Sequence, residues 1–151
     1  MLLSETWLKP VQNFRFSGFK LYRKDRPDGY GGVAILIKNH IRHKLIILNS
    51  SNFDFECIGI EVEVNQTLTV SFLSIYAPPG TIINYQCWNA LMGQLSGDVF
   101  IGGDFNAHSP SWGCSFEDRS GKYIIENIDP NGLYILNNGS NTRLPHPRYS
   151  K

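Results

Sequence analysis

A chain of 151 residues, 42% hydrophobic and 18% charged, has the make-up of one globular domain and not of a disordered segment. At that length it can bury about 70% of its unfolded surface, enough for a real core. The formal net charge of +1 gives no overall electrostatic footprint for nucleic acid, although a local patch such as Arg23, Lys24 and Arg26 can act within a neutral whole.

Met1-Leu2-Leu3-Ser4-Glu5 is too short and too soon acidic for a signal peptide, and reads as a strand entered midway. Gly31-Gly32 leads into Val33-Ala34-Ile35-Leu36-Ile37, a continuous apolar run that predicts a buried strand. His40 and His43 stand three apart with no third ligand nearby. Ile58, Ile60, Val62 and Val64 alternate with Gly59, Glu61 and Glu63, and after an Asn65-Gln66 turn Leu68, Val70 and Phe72 alternate in the same way. That pattern is a β-hairpin, whose second strand runs through Ser74-Ile75-Tyr76 until Pro78-Pro79 stop it.

From about Ile83 to Leu95, Cys87, Trp88, Leu91, Met92 and Leu95 recur at helical spacing. Asp98 to Gly102 predicts another buried strand, with Val99-Phe100-Ile101 at its centre. A second helix starts near Ser120, turns Ile124, Ile125 and Ile128 inward, and ends before Asn131-Gly132. Leu133-Tyr134-Ile135-Leu136 reads as a last strand and Pro145-His146-Pro147 as loop. The fold class that follows is α/β, with sheets covered by helices. No apolar run reaches the roughly 18 residues of a membrane span, so no membrane partner is expected. Cys57, Cys87 and Cys114 show no Cys-x-x-Cys spacing and are odd in number, which favours a reduced, intracellular protein.

Polar residues cluster where three apolar runs stop: Ser4-Glu5-Thr6-Trp7, Ser74 to Pro79, and Gly102 to His108. Strand ends hold catalytic groups rigidly while leaving room for substrate. Taken singly, each has a plainer reading: an Asp-x-Asn is usually a turn, a terminal Glu is usually solvated, and Tyr before a proline pair usually packs. Trp7 and Trp112 are candidates to stack on a ligand, although most aromatic residues are core.

In combination and in this order, the motifs resemble the endonuclease domain of jockey-like non-LTR retrotransposons, within the exonuclease–endonuclease–phosphatase superfamily. The resemblance is carried by LSETWL at residues 3–8, FKLYRKDRPDGYGGVAILI at 19–37, SIYAPP at 74–79 and GGDFNAHSPSWG at 102–113, and it continues through Asp118-Arg119-Ser120-Gly121 and Asn131-Gly132-Leu133. It implies a deoxyribonuclease-like layered β-sandwich covered by helices, spanning residues 1–151 as one domain. It also implies metal-dependent phosphodiester hydrolysis that nicks DNA to prime reverse transcription, with Mg²⁺ (or Mn²⁺) as cofactor.

By the same resemblance Glu5 is the metal ligand, since a hard cation wants oxygen donors. Asp104 orients and deprotonates the attacking water. Asn106 steadies the phosphate, and the Tyr76 hydroxyl contacts it. Arg23, Arg119 and His108 are expected phosphate or DNA contacts. The implied partners are DNA and a reverse transcriptase in a longer parent, and the implied place of action is the nucleus.

Two parts of the family pattern are expected outside this chain: a first strand with its asparagine before Leu2, and closing strands with an Asp and a His after Tyr149-Ser150. An incomplete sandwich is therefore expected. Two alternatives stay open at this point, a catalytically dead remnant that at most binds DNA and a lipid phosphatase of the same fold.

Overall fold

Residues 1–140, the part that this computed structural model describes, form two sheets and two α-helices. The first sheet contains β1 (Leu2–Ser4), β2 (Phe19–Lys24) and β3 (Val33–Lys38), all antiparallel, in the order β1-β3-β2. The apolar run 33–37 takes the central position, where flanking strands satisfy both of its backbone edges. Val33, Ala34 and Ile35 are fully buried there.

The second sheet contains β4 (His43–Ile46), β5 (Glu56–Glu63), β6 (Thr69–Tyr76) and β7 (Asp98–Asp104) in that spatial order. β5 and β6 are the expected hairpin, paired Ile60 to Phe72 and Val62 to Val70. Its turn is closed by Asn65, whose side-chain oxygen accepts from the Thr67 N–H (2.9 Å) and the Leu68 N–H (2.8 Å). β7 then runs parallel to β6, a crossover that the intervening helix α1 (Tyr85–Met92) makes possible.

Strand parity divides the core into two. Ile58, Ile60, Val62 and Phe72 face the first sheet and pack on Ile35 and Ile37. On the other face, Cys57, Leu73 and Ile75 pack on Trp88 and Leu91 of α1, with Ile124 of α2 (Arg119–Ile128) beside them. Each fully buried Leu or Ile contributes about 1.5–3 kcal/mol relative to exposure. The layers are thus sheet, sheet and helices. Asn84 caps α1 by accepting from the Cys87 N–H at 3.0 Å, and Asp118 caps α2 by accepting from the Gly121 N–H at 2.7 Å. All three cysteines are free. Burial pushes the Cys57 thiol up to about 12.

Several expectations are corrected. No strand forms at residues 133–136: Tyr134 and Leu136 are 87% and 75% exposed, and no described strand pairs with the segment. Apolar composition alone cannot make a strand without a neighbour to bond. β7 is the edge of its sheet and only half buried, with Phe100 40% exposed. β2 and β4 were not expected as strands, and α1 is shorter than 83–95. Pro145-His146-Pro147 lies outside the described residues.

Candidate active site

Sheet register places three polar side chains in one row. Glu56 pairs with Tyr76 across β5 and β6, and Tyr76 pairs with Asp104 across β6 and β7. They share the parity of Ile58, Ser74 and Gly102, so the row lies on the face turned to the first sheet, at the strand ends. β1 crosses that face. The Ser74 hydroxyl donates to the Leu3 carbonyl at 2.7 Å, and Gly102 leaves room for Leu2, whose Cδ1 would lie 3.0 Å from any Cβ at 102. The chain leaving β1 therefore delivers Glu5 to the row.

A tight backbone lock holds Glu5. Glu5, Trp7 and Asn106 are the non-glycine residues with positive φ among those described, at 51°, 54° and 44°. Left-handed backbone at such residues costs on the order of 1–3 kcal/mol each and persists only where neighbours enforce it. Here the Thr6 N–H donates to the Gly32 carbonyl (3.2 Å) and the Trp7 N–H to the Gly31 carbonyl (2.8 Å). Glu56 grips the same turn from below, accepting from the Gly32 N–H at 2.6 Å, while its other oxygen lies 3.4 Å from the Arg26 guanidinium. Gly31 must lack a side chain, because a Cβ there would come within 2.7 Å of the Tyr76 ring.

The same logic shapes the other wall. Asp104 accepts from the Asn106 N–H through Oδ1 (2.9 Å), and the Asn106 side-chain amide donates to the Ala77 carbonyl (3.0 Å). The Ala77 N–H in turn donates to the Asp104 carbonyl at 2.9 Å. One Asp104 oxygen is thus spent on the turn, and among the described residues Oδ2 has no protein partner. Gly103 is obligatory at the bend, since a Cβ there would collide with the Ile75 carbonyl.

Tyr76 is 8% exposed. Burial pushes its phenol above the ordinary range, as do hydrogen-bonding reach to Glu5 and the charges of Glu5, Asp104 and Glu56. At neutral pH the hydroxyl keeps its proton and can donate it in a hydrogen bond. The donor set is oxygen only, the chemistry that hard divalent cations prefer. Among the described residues no group of three or more His, Cys, Asp or Glu side chains converges to cage a metal unaided. A cation that keeps several waters needs only one or two carboxylates.

The structure brings Glu5, Tyr76, Asp104 and Asn106 together and places the remaining candidates elsewhere. Arg23 is a loop clamp: its guanidinium bonds the carbonyls of Lys9, Pro10 and Gln12 and pairs with Asp25 at 3.1 Å. It does not reach outward for phosphate. Arg119 lies over the Tyr123 ring, 5.8 Å from its centroid. His108 pairs with Asp118 at 2.8 Å and stacks on Phe116. His43 is tied to the Tyr22 hydroxyl and the Ile41 carbonyl. Trp112 donates to the Ala107 carbonyl at 3.2 Å. Glu56 is the site residue that motif reading passes over. Its signal was parity, for Glu56 stands two before Ile58 on the inward face of its strand.

Two packed sheets with helices on one face, and acidic strand ends gathered where the sheets meet, make this a layered α/β protein. The endonuclease domain of TRAS1, a telomere-specific non-LTR retrotransposon, shares this fold with a TM-score of 0.65 at 22% identity, over 82% of this chain and 58% of that one. Residues 70–151 match the endonuclease-reverse transcriptase family, and the chain belongs to it. It is 24% identical over 151 residues to a probable RNA-directed DNA polymerase from transposon BS of Drosophila melanogaster. It is 27% identical over 145 residues to the RNA-directed DNA polymerase from mobile element jockey of Drosophila funebris. These alignments take in 97% and 94% of this chain and 16% of each relative's length. No helix among the described residues is long and apolar enough to cross a membrane.

Proposed function

We propose that this chain is the nuclease part of a longer retrotransposon protein and hydrolyses a DNA phosphodiester, leaving a nick from which a reverse transcriptase primes. The observation that supports it best is the Glu56–Tyr76–Asp104 row facing a left-handed Glu5. Asp104 is the base: its unengaged oxygen takes a proton from water as the water oxygen bonds to phosphorus and the bond to the leaving oxygen breaks. Asn106 and the protonated Tyr76 donate to the phosphate oxygens as charge grows on them. Glu5 would hold Mg²⁺ (or Mn²⁺), which when bound would supply Lewis-acid polarisation of the phosphate and charge for the leaving oxygen. Acting on chromosomal DNA, the protein would work in the nucleus.

Supercoiled plasmid incubated with the purified chain and Mg²⁺ tests the reading. Conversion to open circles is expected, falling by about 10²–10⁴ in Asp104→Ala, the magnitude of a lost general base. Glu5→Ala should show a comparable loss that added Mg²⁺ partly restores. A chain that is folded by circular dichroism and leaves the plasmid supercoiled would overturn it.

A further inference from the structure

Beside Glu5 stands a pair of aromatic rings that the hydrolytic site does not use. Trp7 and Tyr30 are 57% and 64% exposed, with ring centroids 5.4 Å apart at an interplanar angle of 67°. Single exposed aromatics need no explanation, but these two are fixed by their backbones. Trp7 sits at φ 54°, its N–H bonded to the Gly31 carbonyl. The Tyr30 N–H donates to Asp28 at 3.0 Å, and Arg26 holds that carboxylate through two bonds of 3.1 and 2.7 Å. Arg26 also reaches Glu56 in the site row. Both backbones are therefore held and the rings lie edge to face, which lowers the ordering cost of binding.

One cation beside the rings suits a polyanion. Arg23 and Arg26 are paired with Asp25, Asp28 and Glu56, whereas the Lys9 side chain runs along Gly29, next to Tyr30. Flat apolar rings beside a phosphate-cleaving site match a nucleobase, which every nucleotide presents whatever its sequence.

We propose that Trp7 and Tyr30 form a stacking platform for an unstacked nucleobase adjoining the scissile phosphate. This rests on the nuclease reading and deepens it. Bases inside a duplex are already stacked, so the platform selects positions where unstacking is cheap, such as pyrimidine–purine steps. Target choice would then lie partly in these rings and not in the catalytic carboxylates.

Binding is measured in the Asp104→Ala chain, so that cutting is suppressed, by titrating tryptophan emission with short oligothymidylate and with an abasic oligomer of equal length. The oligothymidylate should quench and the abasic strand should not. Trp7→Leu should abolish the quench and weaken affinity about tenfold, with Tyr30→Ala weakening it similarly and Trp7→Phe retaining most of it. Equal affinity for the abasic strand, or unchanged affinity in both Trp7→Leu and Tyr30→Ala, would overturn the platform and leave the rings to a protein partner. The nuclease reading is scored separately, by plasmid nicking with Asp104 intact. Nick positions unchanged by Trp7→Leu sink the platform alone, whereas a chain that stacks bases without nicking sinks only the nuclease reading.

Discussion

At the scale of the residue, Tyr76 integrates the site. Its phenol is raised by burial first and then by Glu5, Asp104 and Glu56, so the neutral form is favoured in the folded state. A raised folded value stabilises the fold below the unfolded value of about 10 and is lost as pH climbs through the folded one. Alkaline unfolding should therefore steepen above pH about 10, and Tyr76→Phe should flatten that limb. If Tyr76 also donates to the phosphate, the same variant lowers kcat about tenfold or more while the plasmid KM changes little. An unchanged alkaline limb would mean that neither burial nor the three carboxylates bear on the phenol. The Gly31 position argues likewise: the ring lies against a backbone that admits no Cβ, so Gly31→Ala should disturb Tyr76 before it disturbs the core.

At the scale of the element, what could be read depended on whether local pattern and tertiary role agree. The β5–β6 hairpin was legible because period two, an Asn-led turn and a proline stop coincide. β4 was not: Lys44 and Leu45 are both exposed, and the strand exists because β5 offers it an edge. Residues 133–136 failed the opposite way, with strand-like composition and no described partner. The site divides similarly. Glu5, Tyr76, Asp104 and Asn106 could be named from motif resemblance, but their convergence needed the registers of β5, β6 and β7, which no single segment encodes. Helix α2 offers a test at this scale. Burial works to raise the Asp118 carboxyl, yet the Gly121 N–H and the His108 ring and backbone outweigh it and hold it below the ordinary range. A depressed carboxylate stabilises above its unfolded value and loses that contribution as pH falls through the folded one. Asp118→Asn should thus weaken the acid dependence of melting below pH about 4. Asp118→Ala should cost about 0.5–2 kcal/mol near neutrality as the cap is lost, read by urea unfolding. Equal acid sensitivity in Asp118→Asn and the native chain would count against the cap.

At the scale of the whole molecule, the candidate site belongs to neither sheet. Glu5 arrives from the first sheet and Glu56, Tyr76 and Asp104 from the second, so their separation is set by Ile35, Ile37 and Ile60 between the layers. Packing on the far face, by Trp88 and Leu91 of α1 and by Ile83 just before it, stabilises the second sheet without touching that spacing. Stability and activity should therefore come apart according to which interface is trimmed. Ile60→Val and Ile83→Val each remove one methyl group from a buried position and should each cost about 0.5–1.5 kcal/mol in urea unfolding. Misplacement of a reacting group by about 1 Å can cost about 10²-fold in rate, so the layer between the sheets is the more sensitive one. Nicking measured at a temperature where both variants remain fully folded should fall several-fold in Ile60→Val, with a higher Mg²⁺ requirement, and should stay near the native rate in Ile83→Val. Equal losses would mean that the rate follows global stability, and that the strand-end lock of Thr6 and Trp7 on Gly31 and Gly32 fixes Glu5 whatever the sheets do.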